Sequence, residues 1–270
     1  MKRKTLVYLL VLLVLVLPAA AHDLFLKLDN FFVKTGEKVS IKILNGSFQK
    51  SEGVVNFARL ADVSIVAPDG KRVNPVETDF TKNETMSFLN FQPQTEGTFV
   101  VGLSTKTREI ELKAKDFNEY LMHDGIPDTL AERKQTKTAN KDVRERYSKH
   151  VKTIFQSGDK LSDSYQTPLG YPVEIVPQSN PYSLKAGDDF EFLCLMDGKP
   201  LVNQFVMTGY ENAIGKIIKG KNLRTDDKGM AKFKLDRAGA WYVRFIQMAK
   251  TTEPKLDYES KWATLTFAVK

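Results

Sequence analysis

Beyond an apolar N-terminal run, the chain alternates apolar and polar positions in short bursts. Leu24 to Leu28, Lys38 to Ile43, Val63 to Val66, Met86 to Phe91, Thr98 to Leu103 and Thr107 to Lys113 each have the character of a strand. Lys38 to Ile43 alternates strictly, which gives a strand one wet face. Pro68-Asp69-Gly70 supplies a turn between two of these segments. Short strands punctuated by turn residues predict a β-sandwich over residues 22–113.

The period then changes. Phe117, Tyr120 and Leu121 fall at helical spacing, and Gly125 is placed to cap the helix end. Val143, Tyr147, Val151 and Ile154 also recur every three or four residues, which predicts a second helix. Its other face carries charges of both signs, including Arg144, Glu145, Arg146 and Lys149, as a solvated face does. Arg133 to Lys141 is polar and weakly patterned, so a loop is expected between the helices. Residues 114–160 therefore read as a helical connecting segment.

Strand patterns resume at Pro172 to Val176, Phe190 to Leu195, Phe205 to Tyr210, Met230 to Leu235, Trp241 to Ile246 and Trp262 to Val269. Asp197-Gly198 is a hairpin signal, and Gly215 to Gly220 reads as a basic hairpin tip. The two strand blocks resemble each other. Val33 to Ile41 matches Leu184 to Phe192, and Glu96 to Val101 matches Ala238 to Val243, in the same order. The fold class expected is mostly β, with two immunoglobulin-like β-sandwich domains, 22–113 and 161–270, and the helical insert between them.

The N-terminus gives an address. Lys2, Arg3 and Lys4 precede a 13-residue apolar stretch from Thr5 to Leu17, followed by Pro18 and Ala19-Ala20-Ala21. That is the pattern of a signal peptide over residues 1–21, too short to span a bilayer as a helix. The mature protein is expected in the periplasm or outside the cell, with no transmembrane segment. Losing the leader lowers the formal charge of +7 by three, too small a surplus to argue for nucleic acid. The single cysteine, Cys194, excludes a disulfide framework and a cysteine-cluster metal site, and its strand position points it inward. With three histidines and no Ser–His–Asp set or phosphate-binding glycine loop, no enzymatic activity is expected.

Cleavage after Ala21 would make His22 the first residue. An N-terminal histidine offers an amine and an imidazole from one residue, and imidazole suits nickel, copper and zinc. The candidate metal ligands are thus His22, His123 and His150. His123 also reads as a cation near a helix C-terminus, and His150 as a packed residue of the second helix.

One ordered set of elements carries a resemblance. It comprises Ala21-His22-Asp23, Phe117 to Leu121, Arg144 to Lys149, Pro172 to Pro177 with Asn180-Pro181-Tyr182, Asp197 to Leu201, Thr225 to Gly229, Gly239 to Val243 and Ser260 to Phe267. In this order they resemble a family of exported bacterial proteins of unknown function, linked to periplasmic components of nickel and cobalt uptake. The resemblance implies a nonenzymatic, metal-associated protein that holds a nickel or cobalt ion (copper being the other option) through its N-terminal histidine. It implies a metal-uptake system of the cell envelope as partner. It also implies a histidine on the strand after the Gly-x-Trp element, where this chain has Gln247, a poorer nickel ligand. Weaker binding, other partners for His22, or loss of the site all remain open. The alternative class is a metal-free envelope module that recognises a protein or glycan through sandwich loops.

Overall fold

The computed structural model describes residues 22–212 and 214–270; the expected leader, residues 1–21, lies outside them. The first half of the chain supplies β1 (Asp23–Lys27), β2 (Phe32–Val33), β3 (Val39–Gly46), β4 (Leu60–Val66), β5 (Arg72–Val73), β6 (Phe80–Lys82), β7 (Ser87–Phe91), β8 (Gly97–Thr105) and β9 (Arg108–Leu112). Two helices follow, α1 (Ala114–His123) and α2 (Pro127–Gln135). The second half supplies β10 (Val143–Ser157), β11 (Val173–Pro177), β12 (Asp189–Met196), β13 (Lys199–Pro200), β14 (Phe205–Glu211), β15 (Ile217–Arg224), β16 (Met230–Lys234), β17 (Gly239–Lys250) and β18 (Tyr258–Val269).

The mostly β, two-sandwich fold class with a helical insert stands, and the two sandwiches share their middle sheet. That sheet runs β15-β14-β17-β18-β10-β8-β4-β5, with β2 and β9 also on β10. One outer sheet, β1-β3-β7-β6, packs on one face through Leu26, Ile41, Ile43 and Leu89 against Leu103, Val151 and Phe155. The other, built on β11, β12, β13 and β16, packs on the opposite face through Ile175, Phe190, Phe192 and Phe233 against Val243, Leu265 and Phe267. The halves join where β10 and β18 pair in parallel, from Glu145 opposite Tyr258 to Thr153 opposite Thr266.

The internal repeat explains this arrangement. The matched segments become β3 and β12 in the outer sheets and β8 and β17 in the middle sheet. Their glycines take matching backbone shapes: Gly36 and Gly187 have φ of 80° and 103°, and Gly97 and Gly239 have φ of 139° and 115°. All four lie where a Cβ is disfavoured, so the turns are preserved with their glycines. Read from the parallel seam outwards, the middle sheet gives β10-β8-β4 on one side and β18-β17-β14 on the other. Two such units side by side in parallel expose opposite faces, which is why the outer sheets lie on opposite sides.

The connecting segment 114–160 is helical only in its first part. α1 buries Phe117, Tyr120 and Leu121 as expected, and Gly125 follows it at φ 79°. The helix predicted from Val143 to Ile154 is the 15-residue strand β10 instead. Its alternate residues do face opposite layers: Val151 and Phe155 meet the first outer sheet, and Ile154 the second. Lys149, His150, Lys152, Thr153 and Gln156 are buried among them, because both faces of this central strand are covered. Polar residues at buried sites masked the period of two and left a chance spacing of three and four. Arg133 is likewise not in a loop. It lies on α2 with its guanidinium buried, donating to Asn118 Oδ1 and the Lys141 carbonyl and stacking over Phe117. The expected tip from Gly215 to Gly220 is in large part strand β15.

Candidate functional site

A cleft of about 540 Å³ opens at the start of β1, between the edge of the first outer sheet and the β9–β10 end of the middle sheet. His22, Arg59, Thr105, Arg108, Tyr147 and Lys149 supply its polar and aromatic lining, and Val54, Val55 and Ile110 its apolar wall. Strand alternation puts Tyr147 and Lys149 on the same face of β10, and register puts Arg108 directly opposite Tyr147.

His22 is fixed at the cleft by its own backbone. The Lys149 ammonium donates to the His22 carbonyl. The next residue, Asp23, accepts from Arg244 at 2.7 Å, and Arg244 also donates to Asp124 at 3.0 Å. The His22 imidazole is half-exposed, with Nδ1 at 3.2 Å from Glu52 Oε2. An imidazole nitrogen and a carboxylate thus face one another at a partly open position. With a free amine on His22, amine, Nδ1 and carboxylate would be three donors of the types a divalent transition metal takes. Among the described residues no set of three His, Cys, Asp or Glu side chains gathers about one point, so the amine would have to be the third donor.

Lys149 is 5% exposed. Its ammonium lies over the rings of Trp262 and Tyr147, at 5.1 and 5.6 Å from the centroids. Burial pulls its pKa down to about 8, against the opposing charges of Asp23, Asp124 and Glu145. Deeper on the same strand face, burial pushes the Glu145 carboxyl up to about 7, while hydrogen bonds from Ser260 and Tyr120 oppose the shift. Glu145 Oε2 has no partner among the described residues.

The other two candidate histidines are not brought to His22. His150 points to the opposite face of β10, where the hydroxyls of Ser104 and Ser148 lie 2.9 Å from Nδ1 and 3.0 Å from Nε2. Both ring nitrogens are therefore engaged, and burial lowers the imidazole pKa to about 4. His123 is exposed at the end of α1. His22 and His123 are related only at one remove, since each precedes an aspartate held by Arg244. Gln247 follows Val243 and Phe245 at strand spacing and so belongs to the face under the second outer sheet. The middle sheet separates it from His22. Its Oε1 is buried without a partner among the described residues.

The cleft's other residues were not singled out in the sequence. Lys149 reads there as one charge in a mixed run, Arg59 and Arg108 carry no motif, and neither does Glu52, which pairs with His22 outside the cleft lining. The available signal was the pair Tyr147 and Lys149, two apart on a strand, and it is visible only once β10 is known to be a strand.

The chain belongs to the family described as domain of unknown function DUF4198, whose model matches residues 19–249. No curated protein matches it. Among solved structures, a marsupial T cell receptor is 11% identical over 92% of this chain and 73% of its own, with a TM-score of 0.23. A DUF4785 family protein from Legionella pneumophila is 9% identical over 81% of this chain and 51% of its own, with a TM-score of 0.24. Likenesses this distant say nothing of activity.

Proposed function

We propose that the protein is a nonenzymatic, periplasmic metal-binding accessory protein whose processed N-terminus, His22, holds a nickel or cobalt ion for an uptake system of the cell envelope. The observation that supports this reading is the approach of His22 Nδ1 to Glu52 Oε2 at 3.2 Å. Removal of residues 1–21 would free the His22 amine beside them. Amine and Nδ1 of one residue close a chelate ring, and Glu52 adds an anionic oxygen. The anchoring of the His22 carbonyl by Lys149 and of Asp23 by Arg244 holds the donors in place before metal arrives. Histidines 123 and 150 are not part of this site.

The test is a titration at neutral pH with nickel, cobalt and copper. It uses protein beginning at His22, protein with one additional N-terminal residue, His22→Ala and Glu52→Gln. The additional residue turns the amine into an amide and should weaken binding as much as His22→Ala does. Glu52→Gln should weaken it by about tenfold, the value of one charged ligand contact. Equal binding by all four forms would place the metal elsewhere. Binding by none would leave the metal-free envelope module as the reading.

A further inference from the structure

We propose that the cleft beside His22 binds a small molecule that carries a carboxylate or phosphate group on an apolar body, with the anion held by Lys149, Arg59 and Arg108. Three observations lead there. First, Lys149 is a buried cation with no carboxylate at ion-pair distance among the described residues; its hydrogen bond goes to a neutral carbonyl. Of the acids around it, Asp23 and Asp124 are committed to Arg244, and Glu145, whose Oε1 accepts from Tyr120 and Ser260, forms no ion pair with it. A buried charge without a counter-charge is costly, and a bound anion would supply one.

Second, Arg59 and Arg108 line the same cleft, while no aspartate or glutamate among the described residues does. The neighbouring Glu109 is held by Arg144 and Arg146. Three cations line one concave surface, and two of them carry guanidiniums suited to bidentate contact with an oxyanion. Third, beside the polar Asn45, Asn56 and Thr105, part of the lining offers surface to a carbon skeleton. Val54, Val55 and Ile110 give an apolar wall, and the Tyr147 ring lies beneath Arg59 at 5.8 Å. An apolar wall set beside a few polar groups that fix orientation is a combination small-molecule sites use.

Benzoate and phenyl phosphate are suitable probes, since they share an apolar ring and differ in the oxyanion. Each is titrated calorimetrically into protein beginning at His22, in metal-free buffer of constant ionic strength. The variants are Arg108→Gln, Lys149→Met and, as a distant control, Arg237→Gln, with unliganded melting temperatures recorded to establish folding. Saturable binding is expected, weakened about tenfold or more by Arg108→Gln and by Lys149→Met. Arg237→Gln should bind as the unaltered protein does, and because no metal is present in these titrations, this proposal and the metal reading fail separately. Binding of benzoate alone identifies a carboxylate site, and tighter binding of phenyl phosphate a phosphate site. The proposal is overturned if neither probe saturates, or if folded Arg108→Gln and Lys149→Met bind both as before.

Discussion

Lys152 Nζ lies 3.0 Å from Glu174 Oε2, and the two side chains, 2% and 3% exposed, tie the central strand β10 to β11 of the second outer sheet. Glu174 also accepts from the backbone N–H groups of Leu169, Gly170 and Tyr171, so one carboxylate organises the loop that leads into β11. The pair does not by itself imply net stability, because two desolvation penalties stand against one attraction. Removing one partner is a different matter. Lys152→Met should destabilise the protein by about 3 kcal/mol, since it leaves a buried carboxylate without its cation. The double variant Lys152→Met/Glu174→Gln should recover part of that loss. Urea denaturation of the set decides it, and a double variant less stable than the sum of its singles would contradict the account.

His150 should make the protein sensitive to acid. Its folded pKa, near 4, lies below the ordinary 6.5 because burial disfavours the imidazolium. The unfolded chain therefore takes up the proton first as pH falls. Stability from this group is present above 6.5 and is lost on descending toward 4, by up to about 1.4 kcal/mol per pH unit. The difference in unfolding free energy between the unaltered protein and His150→Gln, measured from pH 4 to 7, should carry this slope. A flat difference would show that the buried ring is not held neutral.

Glu145 should act in the opposite sense. Burial raises its folded pKa from 4.5 to about 7, so its contribution is present below 4.5 and is lost as pH rises through 7. Glu145→Gln keeps the shape and removes the charge. It should raise the melting temperature at pH 8 and leave it little changed at pH 5. A lower melting temperature at pH 8 would mean that the ionised carboxylate is better accommodated than its unpartnered Oε2 indicates.

Arg133 should govern access to the turn after α2. Its guanidinium donates to Asn118 and Lys141 and lies 4.9 Å from the Phe117 centroid, closing residues 136–141 against α1. Arg133→Met retains the aliphatic stem and loses these hydrogen bonds. Trypsin should cut at Lys137 or Lys141 several times faster in this variant than in the unaltered protein, as peptide mapping would reveal. Equal rates would assign the turn's order to other contacts.

Much of the strand content was legible because it depends on local pattern. β3, β8, β12 and β17 carry apolar residues and glycine turns whose chemistry is the same in any context. Glycines 36, 97, 187 and 239 made the internal repeat visible, since a left-handed backbone needs the same residue in both copies. The metal candidates were legible only as residue types. Which of them meet depends on sheet faces, and the face of a residue on β10 cannot be assigned while β10 reads as a helix.

The sequence alone determined that this is a mostly β chain with two related halves, a helical insert and a histidine beside a leader-like segment. Tertiary structure decided the rest. Joining the halves edge to edge through β10 and β18 covered both faces of their central strands, and this made Lys149, His150 and Lys152 interior residues. Burial then separated their roles according to the partner each found: two hydroxyls for His150, a carboxylate for Lys152, and for Lys149 a carbonyl beneath an open cleft. Local sequence cannot carry that distinction, because the partners lie up to 127 positions away along the chain.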